Sequence, residues 1–286
     1  MTTPTSSYRY RPRTRWSDLA FYAGIAGIIV YCVAPFYWMV VSSLRRTSDI
    51  FDLTPLPRPW SMENYRAVLG ADSTFLRALL NSVIVAGVTT AVALVIAIST
   101  SYALARLRFR FKRVLLTLVI ATSMFPQIAL VVPLLKLFTD IGWINTYQSM
   151  ILPSLSFALP LAVWTLTTFF KQMPTELEQA AMVDGCTKGQ AFFRVVLPVA
   201  APGVFTTAII TFVSAWNEFL IALSMTDSPD YETAPVAISK FSGVSQFVAP
   251  FGSQMAAGVL VTVPLIVVVL IFQRRIVAGL ASGSVK

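Results

Sequence analysis

The 286-residue chain contains no histidine and only two cysteines, Cys32 in an apolar run and Cys186 in a polar segment. The absence of histidine removes the commonest metal ligand and general base of proteins. Two cysteines in such different surroundings do not indicate a disulfide framework. The sequence also lacks the G-x-x-x-x-G-K loop with which many ATPases bind phosphate. We therefore expect no catalytic residue, no metal site and no cofactor in this chain.

Charged residues are also scarce. They make up 12% of the chain, whereas 56% of the residues are hydrophobic and the mean hydropathy is +0.71. Such a chain has too little polar surface to cover a soluble globule, so the composition predicts a multi-pass protein of the cell membrane, embedded in the lipid bilayer. The net charge of +9 is explained by basic cytoplasmic loops, and no nucleic-acid partner is expected.

Six long apolar runs predict an all-α fold with six transmembrane helices. The runs cover residues 19–44, 76–105, 114–138, 147–170, 202–225 and 253–272. The segments predicted to be cytoplasmic hold 15 Lys and Arg residues and the external segments hold 7, which places both termini in the cytoplasm. The predicted organisation is a basic cytoplasmic arm at 1–15, the first transmembrane helix with an external segment at 16–75, a core of five transmembrane helices at 76–273, and a cytoplasmic tail at 274–286.

Prolines interrupt the third and fourth runs, at Pro126 and Pro133 and at Pro153 and Pro160. Interior prolines leave carbonyl groups that only neighbouring helices or a watered cavity can satisfy. We expect these two helices to line the centre of the bundle. The prolines then mark either kinks beside a path through the membrane or simple packing kinks.

A long polar interval at 174–198 is too regular to be a simple connector. Thr175 and Glu178 have the spacing of a capping box, which predicts a helix start, and Gly185 is suited to the left-handed position just past the end of that helix. Thr187 and Gln190 form a second box, opening a helix that we expect Pro198 to close. The pattern predicts two short helices that meet at Gly185, and a helical hairpin that merely joins two spans is the alternative.

This interval resembles the EAA loop of permease subunits in binding-protein-dependent ABC importers. Gln179-Ala180-Ala181, Gly185, Val195 and Leu197-Pro198 fall at the spacings of that motif, although Gln179 stands where the family has glutamate. In the family the loop, here 171–200, contains the coupling helix that sits in a cleft of the cytoplasmic ATPase. The resemblance implies contact with the ATPase for Glu178, Gln179, Ala180, Ala181, Asp184, Gly185, Phe192, Leu197 and Pro198.

Other segments look like the carbohydrate branch of these importers, similar to the maltose permease's smaller membrane chain. They include Glu63-Asn64-Tyr65, Tyr102-Ala103-Leu104-Ala105-Arg106, Met124-Phe125-Pro126 and Phe272-Gln273-Arg274-Arg275. Three features look closest to the inner permease subunit of actinobacterial trehalose importers: the short basic arm, Trp216-Asn217-Glu218 and Ala234-Pro235-Val236-Ala237. The resemblance implies a type I importer permease that is not an enzyme and moves a sugar such as trehalose by alternating access. Its implied partners are a second homologous permease subunit, an ATPase dimer that binds ATP and Mg, and an external sugar-binding protein or lipoprotein.

Glu218 is the only acid inside a predicted span and lies in the sequence Trp216-Asn217-Glu218. A carboxylate within a membrane is expensive unless it faces a cavity or a partner. One hypothesis makes these three residues part of the sugar path, and the alternative is a structural hydrogen bond to a neighbouring helix. A different function, a proton-coupled secondary carrier, would also use Glu218, although such carriers usually pair the acid with a cation or a histidine relay.

The loop after the fifth span, 226–251, carries an acidic cluster with one aromatic residue. The resemblance implies that it contacts the external binding protein, and a solvated loop is the alternative. The residues concerned are Asp227, Asp230, Tyr231 and Glu232.

Overall fold

The computed structural model describes residues 15–70, 73–241 and 251–284, and for 15–17 and 274–284 it describes the main chain alone. The predicted basic arm therefore lies almost entirely outside the described residues, as does part of the 226–251 loop. The described residues form helices joined by turns and loops and contain no strand. Its helices are α1 Arg15–Ser43, α2 Glu63–Leu69, α3 Phe75–Arg106, α4 Lys112–Ser123, α5 Gln127–Asp140, α6 Tyr147–Gln172, α7 Glu176–Val183, α8 Lys188–Ala191, α9 Leu197–Trp216, α10 Leu220–Met225, α11 Ala234–Ser239 and α12 Phe251–Ser284.

Five continuous helical segments of the described chain are long and apolar enough to cross a membrane. They are Asp18–Ser43, Phe75–Arg106, Tyr147–Gln172, Lys188–Trp216 and Phe251–Gln273. The third predicted span is different, because α4 and α5 are separate helices that meet at 86°. The six-helix prediction is confirmed if this bent pair counts as one span.

Pro126 interrupts the third span, where the sequence predicts a kink, and the interruption is sharp enough to separate α4 from α5. Pro126 is the residue before α5 and has an extended main chain, with ψ at 122°. A proline disfavours helical geometry in the residue before it, which favours the end of α4 at Ser123, before Phe125. In α6, by contrast, Pro153 and Pro160 lie within a continuous helix and are buried, as expected for a helix near the centre of the bundle.

The fifth span also departs from its predicted bounds of 202–225. Pro198 closes no helix, because the chain is helical from Lys188 to Trp216 through one wide π turn at Phe192–Val196. A π turn widens the helix by one residue, which gives the ring of Pro198 room in the first turn of α9. The span then breaks at 217–219, before the short helix α10.

Helix α3 lies at the centre of the packing and contacts both α6 and α9, whereas α1 packs on α12 at the outside. Its contact faces carry small residues that are fully buried, among them Ala86, Ala93 and Ala97. Small side chains let helix backbones approach closely where lipid supplies no hydrophobic drive for association. At the end of the bundle that holds α7, an apolar cluster joins α3, α6, the π turn and α9 through Leu104, Phe170 and Val196, together with Ala97, Ala162, Val163, Leu166, Met173, Phe192 and Ala200.

Candidate functional site

The polar interval contains the short helix α7, a turn at Gly185 and the start of a second helix, as predicted, but the second helix is not short, because α8 continues through the π turn into α9. The second capping box is confirmed: the Gln190 N–H donates to Thr187 Oγ1 at 3.3 Å and the Thr187 N–H donates to Gln190 Oε1 at 2.9 Å. Both orphan amides at the start of α8 are thereby satisfied by side chains.

The first capping box was a wrong prediction. The Thr175 side chain caps nothing, although α7 begins directly after it at Glu176. The Glu178 carboxylate turns instead toward α3, where Oε1 lies 2.6 Å from Arg106 Nε and Oε2 accepts from the Tyr102 hydroxyl at 3.3 Å. A guanidinium is a stronger partner for a carboxylate than a neutral amide, so this tertiary contact displaces the local cap.

Arg106 also binds the main chain that leads from α6 into α7. Its Nη2 donates to the Met173 carbonyl at 3.0 Å and to the Pro174 carbonyl at 3.5 Å, which belong to two of the three residues that connect α6 to α7. The side chains of Arg106 and Glu178 are only 9% and 16% exposed. Leu177 packs beside them against the apolar cluster at this end of the bundle. Helix α7 is therefore tied to α3 by a largely buried ion pair.

Gly185 ends α7 as the sequence predicts, with φ at +90°. Its N–H donates to the Met182 carbonyl at 3.1 Å, and the Cys186 N–H donates to the Ala181 carbonyl at 2.9 Å. These two bonds define a Schellman ending, which satisfies the last carbonyls of the helix and requires a left-handed residue where Gly185 stands.

The predicted coupling residues divide into an exposed set and an internal set. The exposed set forms a surface of α7 and its turn, with Val183 87% exposed beside it. It comprises Gln179, Ala180, Asp184 and Gly185, and Pro198 is exposed on α9. The internal set comprises Glu178 and Leu197, which are half-buried, and Ala181 and Phe192, which are buried. Phe192 packs against Tyr102 with ring centroids 4.4 Å apart and ring planes tilted by 46°, so in this structure it is part of the apolar cluster at this end of the bundle.

The break at 217–219 is held by Glu218. Its Oε1 accepts from the Ile221 N–H at 2.8 Å and its Oε2 accepts from the Ala222 N–H at 3.0 Å, which caps the first turn of α10. The acid thus makes structural hydrogen bonds, but to the following turn of its own chain and not to a neighbouring helix. Trp216 is 1% exposed and its ring is stacked on Phe212, so in this conformation it offers no face to a sugar.

Asn217, the third residue of the predicted sugar path, is exposed, and its Nδ2 donates to the Val213 carbonyl at 2.8 Å. Its remaining hydrogen-bonding capacity is therefore open to a ligand. Contact of Trp216, Asn217 or Glu218 with a sugar stays a prediction.

The segment 226–233 is anchored to the bundle by hydrogen bonds to α3. Asn81 of α3 donates through Nδ2 to the carbonyls of Asp230 and Glu232, both at 2.9 Å. Ser82 Oγ accepts from the Ala234 N–H at 2.8 Å. Asp230 and Asp227 are exposed at its surface, whereas Glu232 is 6% exposed and its Oε1 is paired with Lys240 Nζ at 2.7 Å.

Asn145 holds the beginning of this segment. Its Oδ1 accepts from the N–H groups of Asp227 and Ser228 at 2.9 and 3.0 Å, and its Nδ2 donates to Asp227 Oδ1. The ring of Tyr231 meets that of Tyr147 edge-on, with centroids 5.6 Å apart. The predicted contact with a binding protein therefore concerns a surface that is already ordered against α3 and α6.

Sequence reasoning missed the residues that hold these segments, namely Tyr102, Arg106, Asn81, Ser82 and Asn145. A local signal existed for one pair, because Tyr102 and Arg106 are four residues apart and share a helix face. Their partner Glu178 is 76 residues from Tyr102, and no local pattern indicates it. Within the described residues, no cluster of three or more potential metal ligands occurs.

Comparison with known proteins identifies similar chains. Residues 93–282 match the family described as binding-protein-dependent transport system inner membrane component. The chain is 46% identical over 259 residues to the trehalose transport system permease protein SugB of Mycobacterium tuberculosis, covering 91% of this chain and 94% of that one. It is 38% identical over 258 residues to the trehalose/maltose transport system permease protein MalG of Thermococcus litoralis, covering 90% and 92%.

A solved structure shares the fold. The crystal structure of a bacterial ABC transporter involved in the import of the acidic polysaccharide alginate superposes with a TM-score of 0.76, covering 92% of this chain and 99% of that chain at 20% identity. The type I arrangement expected from the sequence is thereby supported at the level of the fold. The relatives are transport permeases, so the chain is a transport subunit and not an enzyme.

Proposed function

Because the chain belongs to the family of binding-protein-dependent transport system inner membrane components, we propose that it forms half of the translocation path of an ATP-driven importer for a disaccharide of the trehalose class. The ATPase dimer that binds ATP and Mg, the second homologous permease and the external sugar-binding protein are its partners in this proposal. The names of two of its relatives support the substrate, since both contain trehalose.

The observation that carries the coupling role is the exposed turn of α7. The Schellman ending at Gly185 sets the direction of a short helix whose outer surface is small and uncharged at Ala180. A helix with small surface residues fits a narrow cleft in a partner. Because Glu178 of this helix forms a largely buried ion pair with Arg106 of α3, a displacement of the helix is transmitted to the bundle. In the proposal this surface sits on the ATPase.

The sidedness of the proposal rests on charge. The Arg106–Glu178 pair places the start of the basic loop 106–113, with its five Lys and Arg residues, at the same end of the bundle as α7. Cytoplasmic loops carry an excess of Lys and Arg, so this end is assigned to the cytoplasm. The segment 226–234, anchored at the opposite end of α3, then faces outward.

Uptake of labelled trehalose tests the function. Cells that lack the chain are expected to lose binding-protein-dependent uptake, and the restored gene returns it. An excess of unlabelled trehalose should compete more strongly than glucose or sucrose. Normal uptake of trehalose by cells without the chain would contradict the assignment of trehalose as the substrate. Stronger competition by another sugar would assign that sugar as the substrate instead.

A proton-coupled carrier that uses Glu218 is not supported by the relatives, which are named as permease proteins of transport systems. The geometry favours a structural role for this acid, because both carboxylate oxygens accept main-chain N–H groups of α10. Uptake that persists after a protonophore, while ATP is maintained, is the expected result.

A further inference from the structure

Helix α3 differs from the other long helices of the described chain in containing no proline. Prolines lie inside α1, α5, α6, α9 and α12. Proline removes a helical hydrogen bond and kinks the helix, so a proline-free helix resists bending better. With 32 residues, α3 extends for about 48 Å, which exceeds the thickness of a bilayer's hydrocarbon core.

Each end of α3 holds a different polar segment. Near its last turn, Arg106 and Tyr102 bind the Glu178 carboxylate of α7. Near its first turns, Asn81 and Ser82 bind the main chain of the segment 230–234 through three hydrogen bonds of 2.8–2.9 Å. Both attachments are largely or fully buried, which makes them costly to break during a conformational change.

We propose that α3 is a connecting rod that moves α7 and the segment 230–234 together, with Arg106, Glu178, Asn81 and Ser82 as its positioning residues. This inference rests on the proposed coupling role of α7. In the transporter, the loaded binding protein engages the exposed Asp227 and Asp230, the attached segment 230–234 shifts α3, and the buried ion pair passes the shift to α7. Glu178 then acts inside the permease and does not itself contact the ATPase.

The attachment at α7 is tested in the complete transporter, reconstituted with its ATPase and external binding protein in proteoliposomes. Glu178→Gln and Arg106→Gln should each lower the sugar transported per ATP hydrolysed by about fivefold or more, because each leaves a buried group without its counter-charge. Glu176→Gln and Arg108→Gln remove the same charges from exposed positions nearby, and they should stay within about twofold of wild type. The double variant should lose no more than either single variant.

The attachment at the other end has a matched pair of serines on the same helix. Ser82 Oγ accepts from the Ala234 N–H, whereas Ser99 Oγ donates only to the Val95 carbonyl of its own helix. Ser82→Ala should reduce the stimulation of ATP hydrolysis by the loaded binding protein, and Ser99→Ala should leave it unchanged. Co-purification of all subunits checks that each variant assembles into the complete transporter.

Combining changes at the two ends tests the rod itself. The free-energy effects of changes at distant, independent sites usually add. If the two anchors act separately, the fold losses of sugar transport stimulated by the binding protein should therefore multiply in a Ser82→Ala, Glu178→Gln variant. A rod transmits in series, so the combined loss should equal that of the more severe single variant. Multiplied losses would overturn the connecting rod, as would Glu178→Gln and Arg106→Gln transporters with normal sugar transport per ATP.

The docking of α7 on the ATPase is measured separately. Glu178→Gln should retain the ATPase in the purified complex, whereas Gly185→Val, which re-aims the docking turn, should lose it. Loss of the ATPase from Glu178→Gln but not from Arg106→Gln would make Glu178 a direct contact and overturn the positioning role. Retention of the ATPase by Gly185→Val would instead contradict the proposed function of α7 and leave the behaviour of the rod to be judged from the other variants.

Discussion

Gly203 of α9 lies against the face of Phe169 of α6, so closely that a Cβ at position 203 would stand 2.5 Å from Phe169 Cγ. This contact is one of the places where α6 and α9 cross. The absence of a side chain at Gly203 lets the two helix backbones approach, which is the usual role of glycine between membrane helices.

Gly203→Ala is therefore expected to destabilise the bundle by about 1–3 kcal/mol, because Phe169 must move at a position close to its own backbone. The measurement is the midpoint of thermal unfolding in detergent, with membrane abundance alongside it. Gly87→Ala on α3 is the control, since no atom lies within 4 Å of the Cβ it would add. Equal midpoints for the two variants would show that the Gly203 contact is loose.

Cysteine labelling tests the sidedness of the chain. A cysteine introduced at Arg110 or Lys188 should react with an impermeant thiol reagent only from the cytoplasm, and one at Asp230 only from outside. All three positions are exposed, so failure to react cannot be attributed to burial. The native Cys32 and Cys186 are replaced by serine first, so that the introduced cysteine is the only thiol measured. Reaction of the cysteine at position 188 from outside would contradict the proposed contact of α7 with the ATPase.

Glu218 allows a cap to be distinguished from a proton carrier. Glu218→Gln keeps one acceptor oxygen for the amides of α10, so transport should stay within about threefold of wild type if the role is structural. Glu218→Leu removes both acceptors and should lower both transport and thermal stability. A carrier that must protonate Glu218 would instead be abolished by glutamine, while its stability was preserved. Uptake and unfolding midpoints measured on the same preparations decide between the two.

The features that sequence predicted well are those with local causes. A capping box joins residues three apart, and a Schellman ending joins residues within one turn, so Thr187, Gln190 and Gly185 could be read directly. The apolar runs gave the spans because a bilayer requires a minimum helical length. These predictions needed no knowledge of what packs beside the segment.

The wrong predictions depend on neighbours that are distant in sequence. Glu178 has the spacing of a cap, but Arg106 of another helix offers it an opposite charge. Pro126 interrupts a helix, whereas Pro198 does not, because a π turn precedes Pro198 and makes room for its ring. Glu218 is recognisable as an unusual acid, yet its role as a cap follows only from the break at 217–219.

Gly185 gives the most demanding test of the proposed coupling surface. At φ of +90° a β-branched side chain is strained, so Gly185→Val should cost about 1–2 kcal/mol at the turn and change the direction of α7. Nothing lies within 4 Å of a Cβ at this position, so the strain comes from the backbone and not from crowding. The rest of the bundle should fold and enter the membrane as before.

Two matched variants separate the backbone effect from the added bulk. Gly185→Asn keeps a residue that tolerates the left-handed conformation and should retain most of the bound ATPase. Gly189→Val adds the same side chain to an exposed glycine of α8 whose φ is not positive, and it should also retain the ATPase. We expect Gly185→Val alone to reach normal abundance in the membrane, lose the ATPase on purification and abolish uptake. If Gly185→Val and Gly189→Val both purify with the ATPase and transport normally, the turn is only a connector, and the energy of ATP must enter this subunit at another surface.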